Sequence, residues 1–153
     1  MRKITVLLVI VSLLAVLFCS LWIHESKARL NDMEQLCQYH ASGAAGTLQE
    51  FDWAQEQFGE QRMSTYWYAV SRFYAFKETL LCLPDSGGWN ELLYNNCHLI
   101  YDLMLHEPEK VLEHLDELLA ALELLSEDYD SSAARQAMNQ LSYNMQYDVR
   151  DEE

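Results

Sequence analysis

Residues 30–58 decide the fold, and they read LNDMEQLCQYHASGAAGTLQEFDWAQEQF. Intervals of three and four residues alternate along one stripe, which consists of Leu30, Met33, Cys37, His40, Ala44, Thr47, Phe51, Ala54 and Phe58. Such a heptad repeat is typical of a helix that packs along a seam in a bundle or coiled coil. Glycine inside a helix costs about 1 kcal/mol relative to alanine. We therefore predict a helix over 24–58 that ends at Gly59, with a kink or a close crossing at the SGAAG segment, 42–46.

The segment before this seam is apolar. From Ile4 to Ile23 it reads ITVLLVIVSLLAVLFCSLWI, 20 residues without a charge. A bilayer core of about 30 Å requires roughly 20 apolar helical residues, and a helix satisfies its own backbone hydrogen bonds in lipid. Trp22 stands where the segment would leave the lipid, a common position for an amphipathic ring. The sequence predicts a cytoplasmic N-terminus at 1–3 and a membrane anchor at 4–23.

Two other interpretations of the anchor stay open. Arg2 and Lys3 also suit a cleaved signal peptide, but the apolar run exceeds the usual length of about 7–15 residues and lacks a small-x-small cleavage site. Cys19 would serve a lipoprotein, but a phenylalanine precedes it where a small residue is expected. Arg2, Lys3 and the terminal amine precede the segment, whereas Lys27 and Arg29 follow it. The positive-inside rule therefore favours a cytoplasmic N-terminus by a narrow margin. The bulk of the chain is then extracytoplasmic, at the cell membrane.

A second helix is predicted over 61–83. Its wide apolar face comprises Met63, Tyr66, Trp67, Val70, Phe73, Tyr74, Leu80 and Leu81, whereas Tyr68 and Phe76 lie off that face. A helix that is apolar on more than one side either lies centrally in a bundle or offers a surface to a partner. The sequence PDSGG at 84–88 predicts a turn after it.

Three more helices complete the predicted bundle. The third covers 89–107, with inward positions Leu92, Leu93, Leu99, Ile100, Leu103 and Met104. The fourth covers 108–127 and begins with Pro108, whose missing N–H is harmless in a first turn. Asp130 or Ser131 caps the fifth. No segment shows the period of two expected of strands, so we predict an all-α chain: a transmembrane helix, an antiparallel bundle of four to five helices over 24–147, and a frayed acidic tail at 148–153.

The balance of acidic and basic residues argues against some classes of function. The chain has 24 Asp and Glu residues against 10 Lys and Arg residues, a net charge of −14. Such a surface repels phosphate backbones, so we predict no nucleic-acid binding. A basic partner or a cation would be attracted, although the acidic residues also suit a merely soluble surface.

Three cysteines lie beyond the anchor: Cys37, Cys82 and Cys97. In an oxidising compartment one pair could bond. A straight hairpin that turns near residue 59 puts Cys37 and Cys82 at the same height, whereas Cys82 and Cys97 are offset by roughly 10 Å. A disulfide needs Cα atoms within about 7 Å. Cys37–Cys82 is therefore the preferred pair, and the alternative is three buried, apolar thiols.

Metal ligands and catalytic motifs are not convincing. Cys37-x-x-His40 and Cys97-His98 imitate a four-ligand zinc site. However, neighbouring residues on a helix point about 100° apart, so Cys97 and His98 do not converge. The sequence has no Glu-x-x-His pair, GxSxG, HExxH or phosphate-binding Gly-rich loop. We predict no metal, no cofactor and no enzyme, and we interpret His40 as a satisfied core histidine or a pH-sensitive group.

The expected function follows from this architecture. We expect a single-pass membrane protein with an interaction or scaffolding role, held by lipid contacts of its first helix. Helix faces would bind a protein partner or a second copy, with the heptad seam and the aromatic second helix as the surfaces. The alternative is a ligand-binding or sensory module of a membrane complex. The residues expected to form the interaction surface or pocket are His40, Phe51, Trp67, Phe73 and Tyr74.

Overall fold

A computed structural model describes residues 2–53, 59–83 and 89–147, with side chains described over 10–52, 63–83 and 90–147. These residues form six helices and no strand, which confirms the all-α prediction. The helices are α1 (Arg2–Trp53), α2 (Gly59–Leu80), α3 (Trp89–His106), α4 (Pro108–Glu113), α5 (Leu115–Asp128) and α6 (Ser132–Tyr147). The predicted turn at 84–88, the end of the first helix at 54–58 and the tail at 148–153 lie outside the described residues.

The chain divides into two compact units, Met1–Met33 and Glu34–Glu153, and α1 contributes to both. Of the described helices, α1 alone is long and apolar enough to cross a membrane, by length and composition. In the first unit, the large apolar side chains between Ile10 and Ile23 are all exposed, as a lipid-facing segment requires. The side chains of 4–9, at the start of the predicted anchor, are not described.

The second unit is a ring of five helices around one core, to which α4 adds a short sixth. Around the ring, the second half of α1 is followed by α2, α3, α6 and α5, which returns to α1. The side-chain contacts that join neighbours in this order are Phe51–Tyr66, Tyr74–Tyr101, Asn96–Ser142, Asn144–Glu117 and Gln49–Glu123.

In this ring α1 buries a wider face than the predicted seam. The seam residues that are buried are Cys37, Ala44, Thr47 and Phe51. A second row beside them is also buried, comprising Ala41, Ala45 and Leu48, while His40 is half-buried. The first two seam residues, Leu30 and Met33, belong to the first unit. The stripe is wider because α1 packs between two neighbours, α2 and α5, and one seam serves only one neighbour. The helix continues through 42–46, where the alanines enter the core.

The prediction for α2 was partly wrong. Its core residues are Tyr66, Ala69, Val70, Phe73, Phe76 and Leu80, whereas Met63, Trp67, Tyr74 and Leu81 are exposed. Two registers of three-and-four spacing overlap in this helix, and the core uses the one that holds both phenylalanines. Tyrosine and tryptophan carry polar atoms and tolerate a surface position better than phenylalanine does. In α3, Leu92 was likewise predicted inward and is exposed.

The predicted fourth helix is two helices, α4 and α5, which meet at His114. The backbone there leaves the helical region, with φ −110° and ψ 25°. The buried His114 Nδ1 lies 2.9 Å from Glu117 Oε1, and the other Glu117 oxygen accepts the Asn144 amide at 2.9 Å. Burial tends to raise the pKa of Glu117, but these two hydrogen bonds outweigh burial and lower it. Ser131 caps α6 as predicted, since its hydroxyl accepts the Ala134 N–H at 3.2 Å.

The Tyr66 hydroxyl satisfies a backbone carbonyl at the C-terminal end of α3. In a continuous helix the N–H of residue 108 would donate to the carbonyl of Met104, but Pro108 has no N–H. The Tyr66 hydroxyl donates to that carbonyl instead, at 3.0 Å, from a fully buried position. Burial also raises the pKa of the Tyr66 phenol. A core residue of α2 thus satisfies a carbonyl that the proline leaves without its helical partner.

Candidate interaction surface

Among the described residues of the second unit, most of the exposed aromatic side chains lie on α1 and α2. We define the aromatic face as Tyr39 of α1 with Met63, Trp67, Tyr68 and Tyr74 of α2, whose exposed fractions lie between 43% and 58%. At about 100° per residue, Met63, Trp67 and Tyr74 share one side of α2. Tyr68 lies further round, toward α1. The face therefore extends across the outer side of α2 and onto α1.

Arg72 occupies the α1 edge of this face. Its Cζ lies 5.2 Å from the centre of the Tyr39 ring and 5.1 Å from that of Tyr68, so the guanidinium contacts one ring from each helix. An Arg72 N–H donates to the Tyr68 hydroxyl at 2.6 Å. Hydrogen bonds to Tyr68 and Tyr39 raise the pKa of Arg72 above its ordinary value. We call Tyr39, Tyr68 and Arg72 the Arg72 cluster.

Gly43 of α1 makes room for the stem of Arg72. A Cβ placed on Gly43 would lie 3.5 Å from Arg72 Cδ, which is ordinary van der Waals contact. The predicted close approach at 42–46 is therefore a side chain of α2 lying against α1. A side chain larger than alanine at this position would displace Arg72, because the space ends at its methylene groups.

Arg72 has no carboxylate partner among the described residues. The ion pairs of the second unit join Lys77 to Glu78, Arg135 to Asp130 and His114 to Glu117. Tyrosine hydroxyls and ring faces hold Arg72 instead. Arg72 is thus a half-buried positive charge with no carboxylate beside it among the described residues, in a chain with 24 acidic residues.

His40 lies beside this cluster and differs from the predicted satisfied core histidine. It is half-buried, and its Nδ1 is buried without a hydrogen-bond partner among the described residues. Its ring meets the Tyr39 ring edge-on at 5.5 Å. Burial lowers the pKa of His40, and the positive charge of Arg72 lowers it further. The neutral imidazole is therefore favoured at this position.

Lys77 forms a second cation–aromatic cluster, at the α3 edge of α2. Its Nζ lies 5.1, 4.7 and 5.6 Å from the ring centres of Tyr74, Tyr94 and Tyr101, and the residue is buried. The ammonium donates to Glu78 and to the Tyr94 hydroxyl. Burial tends to lower the pKa of Lys77, but these hydrogen bonds outweigh burial and raise it. The cluster joins α2 to α3 and orients Tyr74 at the aromatic face.

The structure separates the five residues expected to form a surface or pocket. Trp67 and Tyr74 lie on the aromatic face and His40 lies at its edge, but Phe51 and Phe73 are core residues. The sequence did not indicate Arg72 and Lys77 as site residues, because a single cationic residue in an aromatic helix is equally compatible with an ordinary solvated charge.

Three cavities lined by described residues lie away from the aromatic face. One of about 420 Å³ opens between α3 and α6, lined by Leu92, Asp130, Ser132, Arg135, Gln136 and Asn139. Two more, of about 510 and 550 Å³, lie at the junction of α3 and α4 and along α3. The expected pocket near His40, Trp67 and Tyr74 is not one of these three.

The cysteines are free thiols, so the structure contains no Cys37–Cys82 bond. Cys37 faces the core, whereas Cys82 lies beyond the end of α2 and is exposed. Equal height along a hairpin therefore did not place the two thiols on the same side. Burial, with a smaller contribution from Glu34, raises the pKa of Cys37 to about 12. Burial also raises the pKa of Cys97, so both core thiols stay protonated and unreactive.

The four candidate zinc ligands, Cys37, His40, Cys97 and His98, do not converge on one point. Cys97 is buried while the adjacent His98 is exposed, as the rotation of about 100° per residue predicts. Within the part of the chain that the structure describes, no three His, Cys, Asp or Glu side chains are grouped to hold a metal ion.

No protein family, curated protein or solved structure matches this chain.

Proposed function

We propose that this chain is a single-pass, membrane-anchored interaction protein without enzymatic activity, and that its aromatic face binds another protein. The exposure of Trp67, Tyr68 and Tyr74 beside Arg72 is the observation that carries this proposal. Tryptophan, tyrosine and arginine are the residues most enriched among those that dominate binding energy at protein interfaces. Charged residues are depleted at interface cores. None of the five residues of the aromatic face is charged, and the carboxylate of Glu78, one turn beyond Tyr74, is paired with Lys77.

The proposed location is the cell membrane, with the N-terminus in the cytoplasm and the bundle on the outer side. The exposed apolar side chains of α1 between Ile10 and Ile23 support the anchor, since lipid is the environment in which they would be stable. Arg2 and Lys3 precede the span and support the orientation.

The heptad seam no longer supports partner binding. Phe51 and its neighbours in the seam pack inside the bundle, so a charged substitution there would unfold the domain instead of testing an interface. Partner binding is therefore assigned to the exposed residues of α1 and α2.

A ligand-binding or sensory module remains the second candidate. The cavity of about 420 Å³ between α3 and α6 favours it, because small-molecule sites usually measure about 300–1,000 Å³. Its cation, Arg135, is already paired with Asp130, which leaves little charge to recognise a ligand.

Crosslinking in native membranes followed by purification tests the proposal. The variant carries Trp67→Ala with Tyr68→Ala. The matched control carries Tyr143→Ala with Tyr147→Ala, which removes two exposed aromatic rings from α6. Truncating a dominant interface residue costs about 2 kcal/mol or more, so recovery of the partner should fall by roughly 30-fold in the variant. Equal recovery from the variant and the control would contradict the proposed function.

A further inference from the structure

The guanidinium of Arg72 has more N–H donors than its hydrogen bonds within the cluster use. It carries five N–H donors, and its hydrogen bonds within the cluster go to the Tyr68 hydroxyl, at 2.6 Å, and to Tyr39. No carboxylate among the described residues lies within ion-pair distance of it. A carboxylate is the group that two parallel guanidinium N–H donors fit best, in a bidentate arrangement.

The guanidinium is also held in place before any partner arrives. The rings of Tyr39 and Tyr68 lie 5.2 and 5.1 Å from its Cζ, and Gly43 lies against its stem. An arginine restrained in this way loses less side-chain freedom on binding than a free one. Both tyrosines are more than half exposed and Arg72 is half-buried, so the cluster lies at the surface.

We propose that the Arg72 cluster binds a carboxylate side chain of a protein partner, and that apolar side chains around that carboxylate pack on Trp67 and the flanking tyrosines. This inference rests on the proposed function and names the chemistry of the partner at the same face. The charged group of the partner is a single aspartate or glutamate within an apolar surface.

The charge balance argues against the other occupants of the cluster. A second copy of this chain would bring a net charge of −14 toward an equal charge. An anionic bilayer would meet the same repulsion over its whole surface. One carboxylate in apolar surroundings supplies the charge that Arg72 requires with far less repulsion.

The test uses the full chain in its native membrane, with a photo-crosslinking amino acid at Ser71, an exposed position of α2 next to the cluster. Arg72→Gln removes the charge and keeps a polar side chain. Lys110→Gln is the matched control, because it removes one positive charge from α4. Circular dichroism of the purified variants checks that all of them keep their helices.

The proposal predicts that Arg72→Gln lowers the yield of the crosslinked partner at least tenfold and that Lys110→Gln leaves it unchanged. The crosslinked peptide of the partner should contain an aspartate or glutamate. Exchange of charges, with Arg72→Glu in this chain and arginine at that position of the partner, should restore the yield. Capture alone, without this dependence on charge, does not support the proposal.

Three outcomes would overturn it. If the yield is unchanged in Arg72→Gln but lost in the Trp67→Ala and Tyr68→Ala variant, the face binds a partner without a carboxylate, and only this inference fails. Crosslinks to a second copy or to lipid assign the cluster to those occupants and also overturn it. If Ser71 captures nothing in the wild-type chain, both this inference and the proposed function fail.

Discussion

Single hydrogen bonds decide how the ends of the helices pack in this bundle. The Tyr66 hydroxyl is the donor that Pro108 lacks, and the acceptor is the carbonyl of Met104. Sequence reasoning placed Tyr66 in the core and Pro108 at a helix start. It did not connect them, because the pairing of a buried hydroxyl with a carbonyl in another helix depends on tertiary packing.

Removing that hydroxyl should destabilise the domain. Tyr66→Phe leaves the Met104 carbonyl buried without a partner, which costs about 1–3 kcal/mol. Thermal unfolding of the detergent-solubilised chain, followed by circular dichroism, measures the loss. The control is Tyr143→Phe, which removes an exposed hydroxyl and should change little. Equal stabilities of the two variants would contradict the role given to Tyr66.

His40 should make stability depend on pH. Because burial and Arg72 lower the pKa of folded His40, protons bind the unfolded chain first as the pH falls. The contribution of neutral His40 to the free energy of unfolding is therefore complete above the ordinary histidine pKa of about 6.5, and it is lost progressively as the pH falls below that value. Nuclear magnetic resonance titration of the His40 ring should give a depressed pKa that rises in Arg72→Gln. An unchanged pKa in that variant would show that Arg72 does not act on His40.

Among the helices, the sequence predicted the all-α type better than the register. The seam in α1 was predictable because it has one dominant period, although α1 also buries a second row beside it. In α2 two stripes overlap, and packing against α1 and α3 selects between them. The break at His114 was unpredictable because contacts with Glu117 and Asn144 accompany it, while the surrounding residues all favour helix.

The contact between α2 and α3 should depend on Lys77. Lys77→Gln removes a charge from three tyrosine rings, and a desolvated cation–π contact contributes about 1–2 kcal/mol. We expect the midpoint of thermal unfolding to fall, with Lys110→Gln as a control of the same chemistry at a more exposed position. A variant as stable as wild type would mean that the tyrosines pack as well without the cation.

For the whole molecule, the proposed membrane attachment depends on one segment. A charged residue at the centre of a spanning helix costs about 3 kcal/mol. Substitution of both Leu13 and Leu14 by aspartate should therefore move the chain into the fraction that alkaline carbonate extracts from membranes. The wild-type chain should stay with the lipid. A wild-type chain that carbonate extracts, or a mature N-terminus beyond Ile23, would contradict the anchor.

The central proposal is that a partner covers the aromatic face in the native membrane. Side-chain footprinting, which labels exposed aromatic rings, tests it without knowledge of the partner. The account predicts that labelling of Tyr39, Trp67 and Tyr68 is several-fold weaker in native membranes than in the purified chain, while Tyr143 and Tyr147 on α6 are labelled equally in both. Equal labelling of Tyr39, Trp67 and Tyr68 in the two preparations would contradict it.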